Sequence, residues 1–442
     1  MSIKSKIPLN NLDAELAVLG AILINNTSLD KVIDILSWDD FYKTSHRLMF
    51  RGMLRLYEKS ETIDLVTLSE ILRQSNDLER CGGVDYLSVV VDSISTSAGI
   101  KYHSNIIRDL AIRRNLILRC HDIINNCYDK TIETSELLEV SEKKIFEVAE
   151  RKNRDGPVGM DVVVKESFKM IEEVAENDSL ITGIPTGFYD LDRMTAGWQP
   201  GDLIILAGRP SMGKTALVIN MVENAVKATG KAALVYSLEM GRQSLGIRMI
   251  GSNSKVSASK IRVGNLKDEH WQAISDSANE LASLPIYIDD SSDTKVLDMK
   301  ADCRRLIKQG VDLGMLVIDY IGLVRCSGQE SRRLEISEIS RTSKALAKEF
   351  KIPVIALSQL NRKVEERPDK RPKMSDLRES GDVEADADII AFVYRDEYYN
   401  PTNENSKNMA EVIIAKQRNG ATGKVDLLFH KETTTFENYI KE

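Results

Sequence analysis

Asp202-Leu203-Ile204-Ile205-Leu206-Ala207-Gly208-Arg209-Pro210-Ser211-Met212-Gly213-Lys214-Thr215 is the stretch on which the architecture turns. Its first half is an uninterrupted apolar run of strand length. Its second half has the spacing G-x-x-x-x-G-K-T, and a helical pattern follows to about Thr229. Strand, glycine-rich loop and helix, in that order, form the context that gives this spacing a chemical meaning. Gly208 and Gly213 let main-chain N–H groups close on phosphate oxygens, and the start of the helix adds positive potential. Lys214 is expected to reach the terminal phosphates and the Thr215 hydroxyl to ligate Mg²⁺. Residues 208–215 are therefore read as a nucleotide-phosphate cradle.

The remainder of the C-terminal half extends this unit into a sheet. From Ile181 onward, short β-rich apolar runs alternate with helical stretches: Asp202–Ala207, Ala232–Ser237, Met315–Ile318, Pro353–Ser358, Ile389–Tyr394, Glu411–Lys416 and Val425–Phe429. The alternation predicts an α/β domain, a parallel or mixed sheet with helices on its faces. Ligands of such sheets bind beyond the carboxyl ends of the strands. Ala232–Ser237 leads to Glu239, read as the only carboxylate at that edge and a general base for the attacking water. Met315–Ile318 leads to Asp319, expected to hold Mg²⁺ through water, and Pro353–Ser358 leads to Gln359, an amide able to sense a γ-phosphate. Each is by itself an ordinary polar strand end. Together with the glycine-rich loop they point to hydrolysis. The five histidines are scattered, and Cys81, Cys120, Cys127, Cys303 and Cys326 form no C-x-x-C pair, so neither a zinc site nor a disulfide framework is expected. Glu384-x-Asp386-x-Asp388 lacks the glycine of a calcium loop and reads as an acidic lead-in to a strand.

Two charged segments follow. Residues 361–373 carry six basic and three acidic side chains with two prolines, which predicts an exposed loop after the Gln359 strand. It runs into Ser375-Asp376-Leu377-Arg378-Glu379-Ser380-Gly381, at the catalytic edge, where basic charge and a glycine suit a phosphodiester backbone. Charge alone favours a plain solvated loop. Further on, Lys416 and Arg418 sit two apart beside a hairpin turn and so share a face. They are either solubility charges or cations offered to a phosphate bound elsewhere.

The first half of the chain has a different texture. From Leu12 to Ala149 apolar residues recur at three- and four-residue spacing with no alternating run, which predicts helices only. A helix follows Thr62-Ile63-Asp64, and another spans Tyr102 to Cys127, its Arg108, Arg113, Arg114 and Arg119 read as a solvated face. Residues 151–159 form a polar linker. Val164, Phe168, Ile171 and Ala175 then line one stripe of an isolated helix that packs either on its own domain or on a neighbouring subunit. The 442 residues, 42% hydrophobic and 29% charged, suit about two to three domains with real cores. Lys+Arg 60 against Asp+Glu 67 gives a net charge of -7, so any nucleic-acid contact is local. The apolar run Leu16–Ile24 is too short for a membrane anchor, and the absence of paired cysteines favours the cytoplasm.

Taken together the motifs resemble the replicative DNA helicases of the DnaB type, found in bacteria and many phages. The resemblance rests on Gly187-Phe188-Tyr189-Asp190-Leu191-Asp192, Leu206 to Thr215, Ser237-Leu238-Glu239-Met240, Leu357 to Arg362, Ser375 to Gly381, Ala385 to Asp388 and Lys416-Gln417-Arg418-Asn419-Gly420. It is dense from Thr182 to Phe429 and thinner over the first hundred residues. It implies a helical N-terminal domain (1–150), a linker with a subunit-docking helix (151–180) and a RecA-like ATPase domain (181–442). It further implies ATP and Mg²⁺ as cofactors and a ring homohexamer moving 5′ to 3′ on single-stranded DNA and opening forked DNA. The implied partners are a primase and a helicase loader, in a bacterial cell or a phage-infected bacterium. By position, Lys214, Thr215, Glu239, Asp319 and Gln359 take the roles argued above, and Arg248 is a further phosphate contact. Arg378, Glu379 and Gly381 match a DNA-contacting loop. Lys416 and Arg418 match fingers supplied to a neighbour's ATP, and the 161–176 helix matches the docking helix. A RecA-fold recombinase would share the core, but the helical N-terminal half favours a ring. A switch protein that only binds nucleotide is disfavoured by Glu239 and by the lack of an N-K-x-D motif.

Overall fold

The computed structural model describes residues 9–93, 99–134, 137–138, 140–141, 144–145, 148, 159–176, 181–325, 331–377 and 381–440, with the backbone only at 166, 170, 173–176 and 405. Two compact units emerge, 1–167 and 168–442, their boundary falling inside the helix Met160–Glu176. No helix among the described residues is long and apolar enough to cross a membrane.

The first unit is helical, as its periodicity predicts. Helices Leu12–Ile24, Thr44–Glu58, Leu65–Gln74, Gly83–Asp92 and Ile100–Tyr128 enclose a core that includes Val18, Leu19, Ile22, Phe50, Met53 and Leu68. Asn11 and Asp64 begin two of them by accepting hydrogen bonds from orphan N–H groups of the first turn. Buried Glu15 and His46 pair at 2.7 Å, and His46 Nε2 meets Tyr86 Oη at 2.9 Å. The reading of Arg114 as part of a solvated face is corrected. Its guanidinium is half-buried and donates to the carbonyls of Leu9 and Asp40, tying the long helix to two earlier segments.

The second unit is built on a nine-stranded sheet: β1 Leu203–Gly208, β2 Ala232–Ser237, β3 Ile286–Asp289, β4 Leu313–Asp319, β5 Val354–Gln359, β6 Ile389–Tyr394, β7 Met409–Gln417, β8 Gly423–His430 and β9 Thr435–Asn438. The spatial order is β3-β2-β4-β5-β1-β6-β7-β8-β9. The first six strands run parallel and the last three add antiparallel. Along β1, Leu203, Ile205 and Ala207 enter one core, and Ile204 and Leu206 the other. Burial on both faces is why this strand reads as a continuous apolar run instead of alternating. All seven expected strands are present. β3 and β9, each four residues long, were not foreseen.

The charged loop departs from the expectation of a wholly exposed segment. Val364 is fully buried within the short 3-10 turn Arg362–Glu366. Arg367 forks onto Asp376 at 2.9 and 2.7 Å, and Arg371 pairs with Glu411. Two of the six cations thus pin the loop to its own domain.

Candidate functional site

Parallel order places the carboxyl ends of β3, β2, β4, β5, β1 and β6 on one edge. β1 delivers Gly208 there and the helix Lys214–Thr229 departs from it. Gly213 adopts φ +94°, and a Cβ on it would lie 3.0 Å from the Phe436 ring. A Cβ on Gly208 would meet the Val393 carbonyl at 3.1 Å. Both loop glycines are therefore required by conformation or by space. Ser211, at φ +67°, and Pro210 are exposed at the tip, while Met212 is buried beneath it.

Lys214 Nζ donates to the Gly208 carbonyl at 2.8 Å and to that of Arg209 at 3.4 Å. Burial lowers its ammonium below the ordinary lysine range, against the opposing charges of Asp319 and Glu239. Thr215 Oγ1 donates to Asp319 Oδ2 at 2.7 Å, bringing the two expected metal ligands together. Asp319 is buried, and that burial raises its carboxyl above the usual range. The Thr215 hydrogen bond works the other way, Glu239 raises it further, and Lys214 and Arg248 oppose. Lys214, Glu239, Asp319 and Arg248 are thus within electrostatic reach of one another. Arg248 lines a small crevice with Thr215, Asn220, Ser252 and Thr434. Gln359 ends β5 in register with Gly208. No cluster of three or more His, Cys, Asp or Glu side chains competes as a metal site among the described residues.

One expectation is corrected, and three cations prove to be engaged within the chain. Glu239 is not the only carboxylate at its edge: β3, beside β2, brings Asp289 opposite Tyr236, and Asp290 accepts the Arg242 N–H at 3.0 Å. Arg209, which has no obvious partner in the sequence, is buried, with Nε on Glu365 at 2.9 Å and Nη1 on the Leu360 carbonyl at 3.0 Å. Lys416 and Arg418 do share a face but are engaged within the chain. Lys416 Nζ donates to the carbonyls of Glu384 and Ala387 (2.5 and 2.7 Å), and Arg418 Nη2 to that of Ala385 at 2.6 Å. Arg418 also lies 3.5 Å from Asp388, whose other oxygen holds Lys344.

Of the DNA-contact set, Arg378 and Glu379 lie outside the described residues. Gly381 opens the short helix Gly381–Asp386, and among the described residues a Cβ there would meet Arg333 Nη2 at an ordinary contact distance of 3.8 Å. Sequence reasoning missed Arg395, immediately after β6 on the same edge. It is 5% exposed, donates to the Ser211 carbonyl at 3.3 Å and stacks over Phe429 at 3.9 Å. Burial lowers its pKa against the pull of Glu397. The signal was present, since Arg395 ends an apolar run whose limits the sequence shows correctly.

With this geometry in hand, the chain matches the DnaB-like helicase C terminal domain over residues 183–438 and the DnaB-like helicase N terminal domain over 7–109. It is 45% identical to the replicative DNA helicase DnaB of Geobacillus stearothermophilus, over 98% of this chain and 95% of that protein. It is 44% identical to the replicative DNA helicase DnaC of Bacillus subtilis (strain 168), over 99% and 96%. A solved DnaB-like replicative helicase, described with its interactions with primase, superposes with a TM-score of 0.76 at 33% identity, covering 97% of this chain and all of that one.

Proposed function

The chain belongs to the DnaB-like family of replicative helicases and is an ATP-dependent DNA helicase, and from that premise we propose how its residues divide the work. The phosphates of ATP lie along Gly208, Arg209, Pro210, Ser211, Met212 and Gly213, with Lys214 and Arg248 on their charge. Thr215 and Asp319 hold Mg²⁺; one hydroxyl and one carboxylate, both oxygen, suit a small cation that keeps several of its waters. Bound between them, Mg²⁺ would supply positive charge against that developing on the phosphates. Glu239 takes the proton of the attacking water and Gln359 senses the γ-phosphate. Lys416 and Arg418 leave the Gly381–Asp386 helix to reach the ATP of an adjacent subunit. Arg378, Glu379 and Gly381 contact single-stranded DNA.

The chain divides into a helical domain at 1–150, a linker with its docking helix at 151–180 and the ATPase domain at 181–442. Six copies form a ring in the bacterial cytoplasm, translocate 5′ to 3′ and cooperate with a primase and a loader. The observation that carries this reading is the 2.7 Å meeting of Thr215 and Asp319 beside Lys214, at the carboxyl edge of the sheet. Unwinding of forked duplexes with a free 5′ tail or a free 3′ tail, the other arm blocked against loading, tests it. Only the fork with a 5′ tail should be opened, and ATP-independent or 3′-tail opening refutes it.

A further inference from the structure

Arg209 sits inside the phosphate loop, yet its guanidinium is engaged at Nε and Nη1 by the segment that leaves β5. It is 8% exposed, with Glu365 on Nε at 2.9 Å and the Leu360 carbonyl on Nη1 at 3.0 Å. Its own carbonyl receives Lys214 Nζ at 3.4 Å. Leu360 in turn bridges to Leu377, and the Asn361 N–H donates to the Asp376 carbonyl at 2.9 Å. Asp376 is itself gripped by the Arg367 fork. An unbroken set of polar contacts therefore runs from Lys214 through Arg209 to Leu360 and Glu365, and on to Leu377.

We propose that the Arg209–Glu365 ion pair is a positioning device that ties the phosphate loop to the segment 360–377, so that single-stranded DNA held next to Leu377 sets the place of Lys214 at the ATP phosphates. The proposal rests on the reading of Arg378, Glu379 and Gly381 as DNA contacts. A guanidinium held at two points by one segment transmits that segment's displacement, whereas a solvated arginine would not. Coupling between two sites is reciprocal in binding, so nucleotide should also alter DNA affinity through the same pair. Glu365 is 40% exposed and belongs to neither the catalytic nor the DNA-contact set, so its replacement removes the pair without removing a group that acts on ATP.

The test uses the full-length assembled protein with a dT oligonucleotide as the probe, reading kcat and KM for ATP with and without it. In Glu365→Ala the DNA-free kcat and KM should stay within about twofold of the parent, while stimulation by the oligonucleotide falls about fivefold or more. Glu365→Gln, which keeps an oxygen acceptor for Arg209, should lose less. Stimulation fully retained in Glu365→Ala overturns the relay, and so does a DNA-free kcat that falls by the same factor, since the pair then only stiffens the loop. Arg378→Ala is measured alongside. Oligonucleotide affinity unchanged in that variant overturns the proposal by a different route, placing the fault in the DNA-contact reading and not in the ion pair.

Discussion

Thr215 and Asp319 are 104 residues apart in sequence and 2.7 Å apart in space, and Lys214 lies beside them with its pKa lowered by burial. Lys214→Ala should abolish ATP hydrolysis while leaving the fold intact, because the half-buried ammonium donates only to carbonyls of its own loop; near-normal turnover would remove it from the site. Glu239→Gln keeps shape and loses the proton acceptor, so it should bind ATP and hydrolyse it poorly. An equal fall in binding and turnover would show that it is not the base. A buried residue outside the chemistry gives a prediction about stability. Glu223, on the helix after the phosphate loop, is 6% exposed with Oε1 unpartnered, and burial raises its pKa to about 7. The folded chain therefore binds a proton that the unfolded chain has released, so stability falls as pH rises from the ordinary carboxyl range to about 7. The full penalty, about 3 kcal/mol, is present above that pH. Glu223→Gln should thus gain stability over the parent at pH 8 and lose that advantage below pH 4.5, in urea melts at both. A pH-independent difference refutes the assignment. At this scale the sequence was most legible where a polar residue ends an apolar strand, as with Asp319 and Gln359. Arg395 obeys the same rule yet was passed over, because a cation there matched no expected role. Arg209 was illegible, since its partners Glu365 and Leu360 meet it only after β1 and β5 have paired.

Among the elements, strands buried on both faces were plain in the sequence, and β2 and β6 begin and end where their apolar runs do. β3 and β9 were hidden for a physical reason. β3 closes the free edge of the sheet with only part-buried and exposed side chains, and β9 pairs along four residues after a polar turn, so neither shows a periodicity above its surroundings. The basic loop misled for a related reason. Its charge is real, but Arg367 and Arg371 find carboxylates on Asp376 and Glu411 that only tertiary structure supplies. The helix Met160–Glu176 shows the opposite case, an apolar pattern legible in sequence that stays largely uncovered among the described residues. Val164, Phe168 and Ile171 are 49%, 61% and 62% exposed on it. Three adjacent large apolar side chains left in water favour association by the usual area-dependent term. A chain beginning near Asn177 lacks that stripe and should retain ATP binding while losing stable assembly, as read by sedimentation with nucleotide. A stable hexamer from it would show that the helix is dispensable.

At the scale of the whole molecule, DNA binding and ATP turnover become properties of neighbouring copies. Arg378→Ala should weaken single-strand binding alike on all sequences and flatten the dependence of affinity on salt, because a phosphate contact acts by counterion release and not by base reading. An unchanged slope with unchanged affinity returns the loop to ordinary solvent contact. Arg418 asks more of the assembly. Within one chain it donates to the Ala385 carbonyl and faces Asp388, so its guanidinium is not at its own phosphate loop. The chain's own site already has Lys214, Asp319, Glu239 and Gln359, with Arg248 nearby, while the arginine of the phosphate loop itself, Arg209, is engaged with Glu365 and not free for the transition state. A cation supplied by the adjacent subunit fills that gap, and such fingers are worth about 10³ to 10⁵ in rate. Arg418→Ala should therefore bind ATP and hydrolyse it very slowly, and Lys214→Ala should be inactive for the unrelated reason of a defective phosphate loop. Mixed in equal amounts, the two form head-to-tail interfaces of which about one in four joins an intact Lys214 to an intact Arg418. Hydrolysis recovered in the mixture and in neither parent is the expected outcome, rising with subunit exchange and saturating below the wild-type rate. No recovery, with exchange demonstrated by labelled subunits, would show that Arg418 does not act in trans.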